Sequence, residues 1–218
     1  EMFLRLNFLE ANLKLDDVNH IIISSVVPQL NDILSEFTRS LIDKEPIFVG
    51  PKIYDLLPIQ THNPHEIGTD LIANAMAGHM LYKEDIIIVD FGTALTFTVV
   101  ESSGNIRGVN IAPGLKTAIA SLVGSTAQLP YVPLELPDSV IGTSTITAIQ
   151  NGVLWGYVSM VEGMLDRIQT ELNKKLKVVA TGGLSSILHP LHGRFDQVNR
   201  HLTLEGLRFI HEAVISKA

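Results

Sequence analysis

Asp90 closes the run Ile86-Ile-Ile-Val-Asp-Phe-Gly-Thr-Ala94, in which a carboxylate, a glycine and a hydroxyl follow four β-prone aliphatics. A strand ending on such a set has the makings of a phosphate loop. Asp90 is an acceptor, Gly92 lets backbone approach a ligand closely, and Thr93 offers its hydroxyl to a phosphate or to a metal's water shell. Together they suit an anion with its cation, although an ordinary β-turn between two strands has the same composition. Asp70, in Gly68-Thr-Asp70, falls near the start of an amphipathic helix, where the helix dipole favours the ionised carboxylate. It is an ionised carboxylate available for chemistry, or else a decoration of the first turn. Gly182 and Gly183 follow an apolar strand, and such a pair permits close contact with a flat ligand such as adenine, or serves as a tight turn.

Other chemistries find little here. There is no cysteine for a thiolate site or a disulfide. No Gly-x-Ser-x-Gly elbow, Walker loop or dinucleotide fingerprint occurs. His62 and His65 flank Pro64, and His189 and His192 share a loop, so neither pair has metal-ligand spacing and surface roles suit them better. Carboxylates, hydroxyls and glycines remain. Phosphoryl transfer needs little more, because the protein mostly positions reactants, holds cations against phosphate oxygens and supplies a carboxylate for the accepting hydroxyl.

The elements that must position these residues follow from periodicity. An amphipathic helix over Phe3 to about Leu13 precedes a strand at His20–Ser25, a helix carrying Leu30, Ile33, Leu34, Phe37 and Leu41, and a strand at Ile47–Val49. Strand, helix, strand is the cadence of an α/β fold. Asn63-Pro64-His65-Glu66 reads as a helix start with a cap and a first-turn proline, which puts Gly68, Thr69 and Asp70 in the first turns. After the Asp90 strand, Leu95–Val100 and Ile106–Ile111 form a hairpin across a turn rich in Ser, Gly and Asn. Helix-compatible sequence runs from Leu115 to about Val123. A long helix spans Thr145 to Leu172, with Ile149, Val153, Tyr157, Met160, Met164 and Ile168 as an apolar stripe that suits a core or an interface. Lys177–Thr181 is a strand, a helix is expected after Gly183, and Leu202–Ile215 is an amphipathic helix.

Composition sets the limits. A chain of 218 residues, 46% of them hydrophobic, can bury a substantial core as one large domain or two small ones. A formal charge of −7 with 16 scattered basic residues offers no stripe for a nucleic-acid backbone. No apolar run reaches membrane-span length, and Arg5, Asn7 and Glu10 interrupt the first apolar segment, so no signal peptide is visible. These features predict a cytoplasmic protein without nucleic-acid or membrane partners.

Six motifs in order, Gly68-Thr-Asp70, Val89-Asp-Phe-Gly-Thr-Ala94, Ile111-Ala-Pro-Gly-Leu115, Gly142-Thr-Ser-Thr145, Ala180-Thr-Gly-Gly-Leu184 and Leu202-Thr-Leu-Glu-Gly-Leu207, resemble those of the type III pantothenate kinases. Each is weak alone, but their order and spacing over nearly the whole chain are specific. The resemblance implies an α/β fold of two related ribonuclease H-like domains, as in the sugar kinase, actin and Hsp70 superfamily, divided here as 1–82 and 83–218. It implies ATP-dependent phosphorylation of pantothenate, the first step toward coenzyme A, with a non-catalytic nucleotide-binding regulator of the same fold as the alternative. Asp70 then matches the base, and Gly68, Thr69, Leu71 and Thr145 match positions of the pantothenate pocket, Thr145 acting in its own chain or in the partner subunit of a homodimer. Gly92, Thr93, Gly182 and Gly183 match ATP-binding positions. Asp90 matches the ligand of a monovalent cation, potassium or ammonium, and Mg2+ accompanies ATP.

The chain departs from the family pattern in places. The family's first strand, with Asp-x-Gly-Asn-Thr, is expected ahead of Glu1 and is missing from this sequence. Leu71 stands where an arginine is usual, and Thr61 where a tyrosine is common. A substrate carboxylate would then look to Arg107, to Lys116 or to backbone amides at the start of the Asn63 helix.

Overall fold

The computed structural model describes residues 2–124, 132–183, 185 and 187–217. They form an α/β arrangement of eight strands and eight α-helices among the described residues, which divides into two compact units, Glu1–Ala77 with Thr203–Ala218, and Gly78–Leu202. The last helix, expected in the second domain, groups with the first unit.

In the first unit, helix α1 (Met2–Glu10) leads to strand β1 (Ile21–Ile23), helix α2 (Asn31–Ile42) and strand β2 (Pro46–Phe48). β1 and β2 pair in parallel, Ile21 opposite Pro46 and Ile23 opposite Phe48. α2 stops at Asp43, which takes a left-handed conformation with φ 55°. A single turn of helix, α3 (Pro51–Tyr54), and the two-residue strand β3 (Gln60–Thr61) come before α4 (Thr69–Tyr82). Residues 71–78 of α4 are all buried. A helix apolar on every side belongs in a core, and this one carries only small residues and aliphatics there apart from Asn74. α8 (Leu202–Ile215) packs against it: a Cβ on Gly206 would stand 1.8 Å from the carbonyl oxygen of Ala73. Beside that contact the Thr203 hydroxyl donates to Asn74 Oδ1 at 2.7 Å.

The helix expected from Asn63 begins instead at Thr69. The cap signal is real but serves a local turn, in which the Glu66 N–H donates to the Asn63 carbonyl at 3.1 Å and Asn63 Nδ2 donates to Glu66 Oε2 at 3.0 Å. Gly68 then accepts the first helical bond, from the Ile72 N–H at 3.1 Å.

The second unit is built on strands β4 (Ile86–Phe91), β5 (Ala94–Val100), β6 (Asn105–Pro113), β7 (Lys177–Thr181) and β8 (Gln197–Val198), neighbouring in the order β6-β5-β4-β7-β8. β5 runs antiparallel to β4 and β6, while β7 is parallel to β4 and β8 to β7. Ile86, Ile87, Ile88 and Val89 are all but fully buried. Each contributes roughly 1.5–3 kcal/mol by leaving water, which makes β4 the anchor of this unit. α5 (Leu115–Gly124) follows β6.

The long helix expected from Thr145 is α6 (Thr145–Gln150), a π-helical turn (Asn151–Trp155) and α7 (Gly156–Glu171). Val153, Tyr157, Met160, Met164 and Ile168 of its apolar stripe pack on the core of this unit with Val89, Phe97 and Leu115. The helix expected after Gly183 does not form among the described residues, where turns lead to a 3-10 segment at His189–Arg194. Among the described residues no helix is long and apolar enough to cross a membrane.

Candidate active site

The second unit holds Asp90, Gly92, Thr93, Gly182 and Gly183 at the ends of two adjacent strands. Asp90 lies half-buried at the end of β4, paired with Thr96 of β5 on one side and Thr181 of β7 on the other. The chain reverses immediately, and the Gly92 N–H donates to the Ala94 carbonyl at 3.1 Å. Gly92 and Thr93 are exposed. The Thr93 carbonyl is pinned twice, by the Gly114 N–H at 2.9 Å and by the Thr117 hydroxyl at 2.9 Å. That leaves the backbone of the loop fixed and its side-chain hydroxyl on the surface.

The Ala112-Pro-Gly-Leu115 motif explains itself here. A Cβ on Gly114 would stand 2.4 Å from the carbonyl oxygens of both Gly92 and Thr93, so only glycine lets the turn lie on the loop. The turn is held from behind by the Tyr157 hydroxyl, which donates to the Pro113 carbonyl at 2.5 Å, and burial pushes the acidity of that phenol further from neutrality. Gly182 has φ +89°, and a Cβ there would stand 2.6 Å from Asp90 Oδ1 and from the Phe91 carbonyl oxygen. Gly183 is exposed with open space about it. Leu184, the last residue of that motif, lies outside the described residues.

Asp90 and the Phe91 carbonyl therefore present hard oxygens side by side at the Gly182 turn. Oxygen donors of this kind suit a hard cation. Among the described residues no three His, Asp or Glu gather as a metal cluster.

The first unit holds Gly68, Thr69, Asp70 and Leu71. Thr69 opens α4, and its hydroxyl lies 2.7 Å from the Ser24 hydroxyl just past β1, one donating to the other. Asp70 is exposed, and its Oδ1 accepts from the Leu71 N–H at 2.9 Å. A Cβ on Gly68 would stand 2.5 Å from that same Oδ1, so glycine is what lets the carboxylate sit where it does. Leu71 turns into the core, 8% exposed, and offers a ligand nothing polar from its side chain. Tyr54 lies close enough that the Asp70 charge adds to burial in raising the phenol's pKa.

Thr145 is exposed as the first residue of α6. The residue before it, Ser144, makes a capping box with Thr147: the Thr147 N–H donates to Ser144 Oγ at 3.2 Å and the Ser144 N–H donates to Thr147 Oγ1 at 2.9 Å. This fixes the start of the helix on which Thr145 stands. Of the cations considered for a substrate carboxylate, Arg107 is exposed and faces Glu101 at 3.6 Å, and Lys116 is exposed. Since Asn63 begins no helix, its amides are not helix-start donors.

Sequence reasoning passed over Ser24, Tyr54, Thr117 and Tyr157. The first three carry no local signal, because what they touch is distant in sequence; Tyr157 was visible only as a member of an apolar stripe.

The family model for type III pantothenate kinase matches residues 1–167. Type III pantothenate kinases from Geobacter sp. (strain M21) and Anaeromyxobacter sp. (strain K) are 42% and 40% identical over 205 and 211 residues. Those alignments take in 94% and 97% of this chain, and 81% and 83% of the relatives. Among solved structures, a conserved Baf family protein from Campylobacter jejuni has a TM-score of 0.60 at 19% identity, covering 91% of this chain and 85% of its own, a likeness of fold. With the six motifs in their order and relatives this similar along nearly its whole length, the chain belongs to the type III pantothenate kinase family.

Proposed function

We propose that the protein transfers the γ-phosphoryl group of ATP to the primary hydroxyl of pantothenate, giving 4'-phosphopantothenate and ADP at the start of coenzyme A synthesis. The observation that carries the assignment is Asp70, a carboxylate exposed in the first turn of α4 beside a glycine whose replacement would displace it. Asp70 takes the hydroxyl proton as the alcohol oxygen attacks phosphorus, and the bond to the β-phosphate oxygen breaks in line, releasing ADP. General-base assistance of this kind is worth roughly 10²–10⁴ in rate. Gly68 and Thr69 position the acceptor, with Thr145 supplied by the same chain or by a partner subunit in a homodimer.

The phosphates of ATP lie along the loop at Gly92 and Thr93, the adenosine against Gly182 and Gly183, and Mg2+ enters with the nucleotide. A potassium or ammonium ion at Asp90 would offset phosphate charge there. The second unit's strand order, with only β5 reversed among its five strands, supports a ribonuclease H-like domain of the sugar kinase, actin and Hsp70 superfamily. Pantothenate-dependent ADP release, measured with and without potassium, tests the reading. Release that needs pantothenate and rises with potassium supports it, and ADP release indifferent to pantothenate contradicts it.

A further inference from the structure

A loop that holds a phosphate has to present donors to it and keep its acceptors turned away. A carbonyl oxygen aimed at an anion repels it, whereas N–H groups and hydroxyls attract it. The orientation of the Thr93 peptide therefore decides how well the loop at Gly92 and Thr93 can serve ATP. Both residues are exposed, so side-chain packing does little to set that orientation.

Hydrogen bonds set it instead. The Thr93 carbonyl accepts from the Gly114 N–H at 2.9 Å and from the Thr117 hydroxyl at 2.9 Å, one donor for each lone pair. Thr117 stands exposed in the first turn of α5, so the carbonyl is drawn toward the positive end of that helix. The turn beside it cannot drift with the loop. A Cβ on Gly114 would already stand 2.4 Å from the Gly92 and Thr93 carbonyl oxygens, and the Tyr157 hydroxyl holds the Pro113 carbonyl at 2.5 Å. A hydroxyl has a single proton, so Thr117 donating to Thr93 does not donate to a nucleotide as well.

We propose that Thr117 is a positioning residue for nucleotide binding: by holding the Thr93 carbonyl against α5, its hydroxyl keeps that oxygen away from the phosphates and the Thr93 side-chain hydroxyl where it meets them. Thr117 acts through Thr93 and touches no phosphate with its own proton. Its effect falls on ATP and not on the acceptor alcohol. This rests on the reading that the Gly92–Thr93 loop carries the phosphates, and the test separates the two claims.

The experiment is a double-mutant cycle in the full-length protein, read by calorimetric titration with a non-hydrolysable ATP analogue and by KM for ATP and for pantothenate. Thr117→Val keeps the shape of the side chain and removes the donor, Thr117→Ala is a second variant without it, and Thr117→Ser retains it. Loss of one exposed hydrogen bond moves the melting transition by only a few degrees, so these variants are expected to fold, and that transition checks it. The proposal expects Thr117→Val and Thr117→Ala to weaken the analogue and raise KM for ATP about fivefold with KM for pantothenate unchanged, and Thr117→Ser to stay within about twofold of the parent. Thr93→Ala should weaken the analogue as well, and adding Thr117→Val to it should bring no further loss, because the hydroxyl being positioned is already gone. Parental ATP affinity in Thr117→Val beside a weakened Thr93→Ala would overturn the proposal and leave the phosphate loop standing. Losses that add in full in the double variant would also overturn it, since Thr117 would then act other than through Thr93. Parental affinity in Thr93→Ala would overturn both the proposal and the phosphate-loop reading.

Discussion

Gly182 leans over Asp90 so closely that any side chain there would strike the carboxylate and the carbonyl beside it: a Cβ would stand 2.6 Å from Asp90 Oδ1 and 2.6 Å from the Phe91 oxygen. The glycine also holds φ +89°, where an L-residue carries strain of roughly 1–3 kcal/mol. Gly182→Ala should therefore lower Tm and raise KM for ATP at least tenfold. Gly183→Ala, with open space at its Cβ, should leave Tm within about a degree of the parent. Equal melting of the two variants would contradict this account of the turn.

The contact between Gly206 and Ala73 makes a similar demand away from the site. With the Ala73 carbonyl oxygen 1.8 Å from a Cβ, Gly206→Ala must push α8 from α4. Overpacking of this kind costs about 1–3 kcal/mol, and at about 2–4 °C per kcal/mol for a chain of this size Tm should fall measurably by calorimetry. Gly163 of α7 provides the opposite case, since nothing lies within 4 Å of its Cβ. Gly163→Ala should stabilise by roughly 0.5–1 kcal/mol through helix propensity.

Asp85 ties three segments at the base of β4. Lys174 Nζ donates to its Oδ2 at 2.5 Å, and the Ser102 N–H of the β5–β6 turn donates to its Oδ1 at 2.7 Å. The Lys174 bond first, and the Ser102 N–H next, hold its carboxyl below the usual carboxylate range. A carboxyl whose pKa is depressed on folding contributes stability that is whole above the unfolded value, about 3.9, and is lost as pH falls through the folded value. The Tm difference between the parent and Asp85→Asn should thus be flat from neutral pH to about 5 and shrink below about 4. A difference that persists undiminished to pH 3 would show that the charge is not what Asp85 contributes.

Where an element's own residues decide its fate, the chain could be read directly: α8 spans Leu202–Ile215 and β7 spans Lys177–Thr181, the limits that periodicity implies. Where two local solutions compete, it could not. Asn63, Pro64 and Glu66 suit a helix start, yet the same side chains close a turn, and Gly68 moves the true start to Thr69. The π-helical turn at Asn151–Trp155 lies within a stretch whose residues are all compatible with a helix, so nothing local marks it. For the candidate site, residue types and spacing located the Asp90 loop and Asp70. What holds the loop, the Thr93 carbonyl shared by Gly114 and Thr117, depends on a turn some twenty residues away and has no signature in sequence. Tyr54 beside Asp70 is the same kind of fact.

The proposed role of Asp70 as base is tested most directly by Asp70→Asn, which keeps the side chain's size while removing its charge. Steady-state ADP release with pantothenate, alongside calorimetric titration with an ATP analogue, separates chemistry from nucleotide binding. The account predicts a kcat lower by roughly two to four orders of magnitude with nucleotide affinity unchanged within about twofold. A variant that turns over pantothenate at near the parent rate would contradict it.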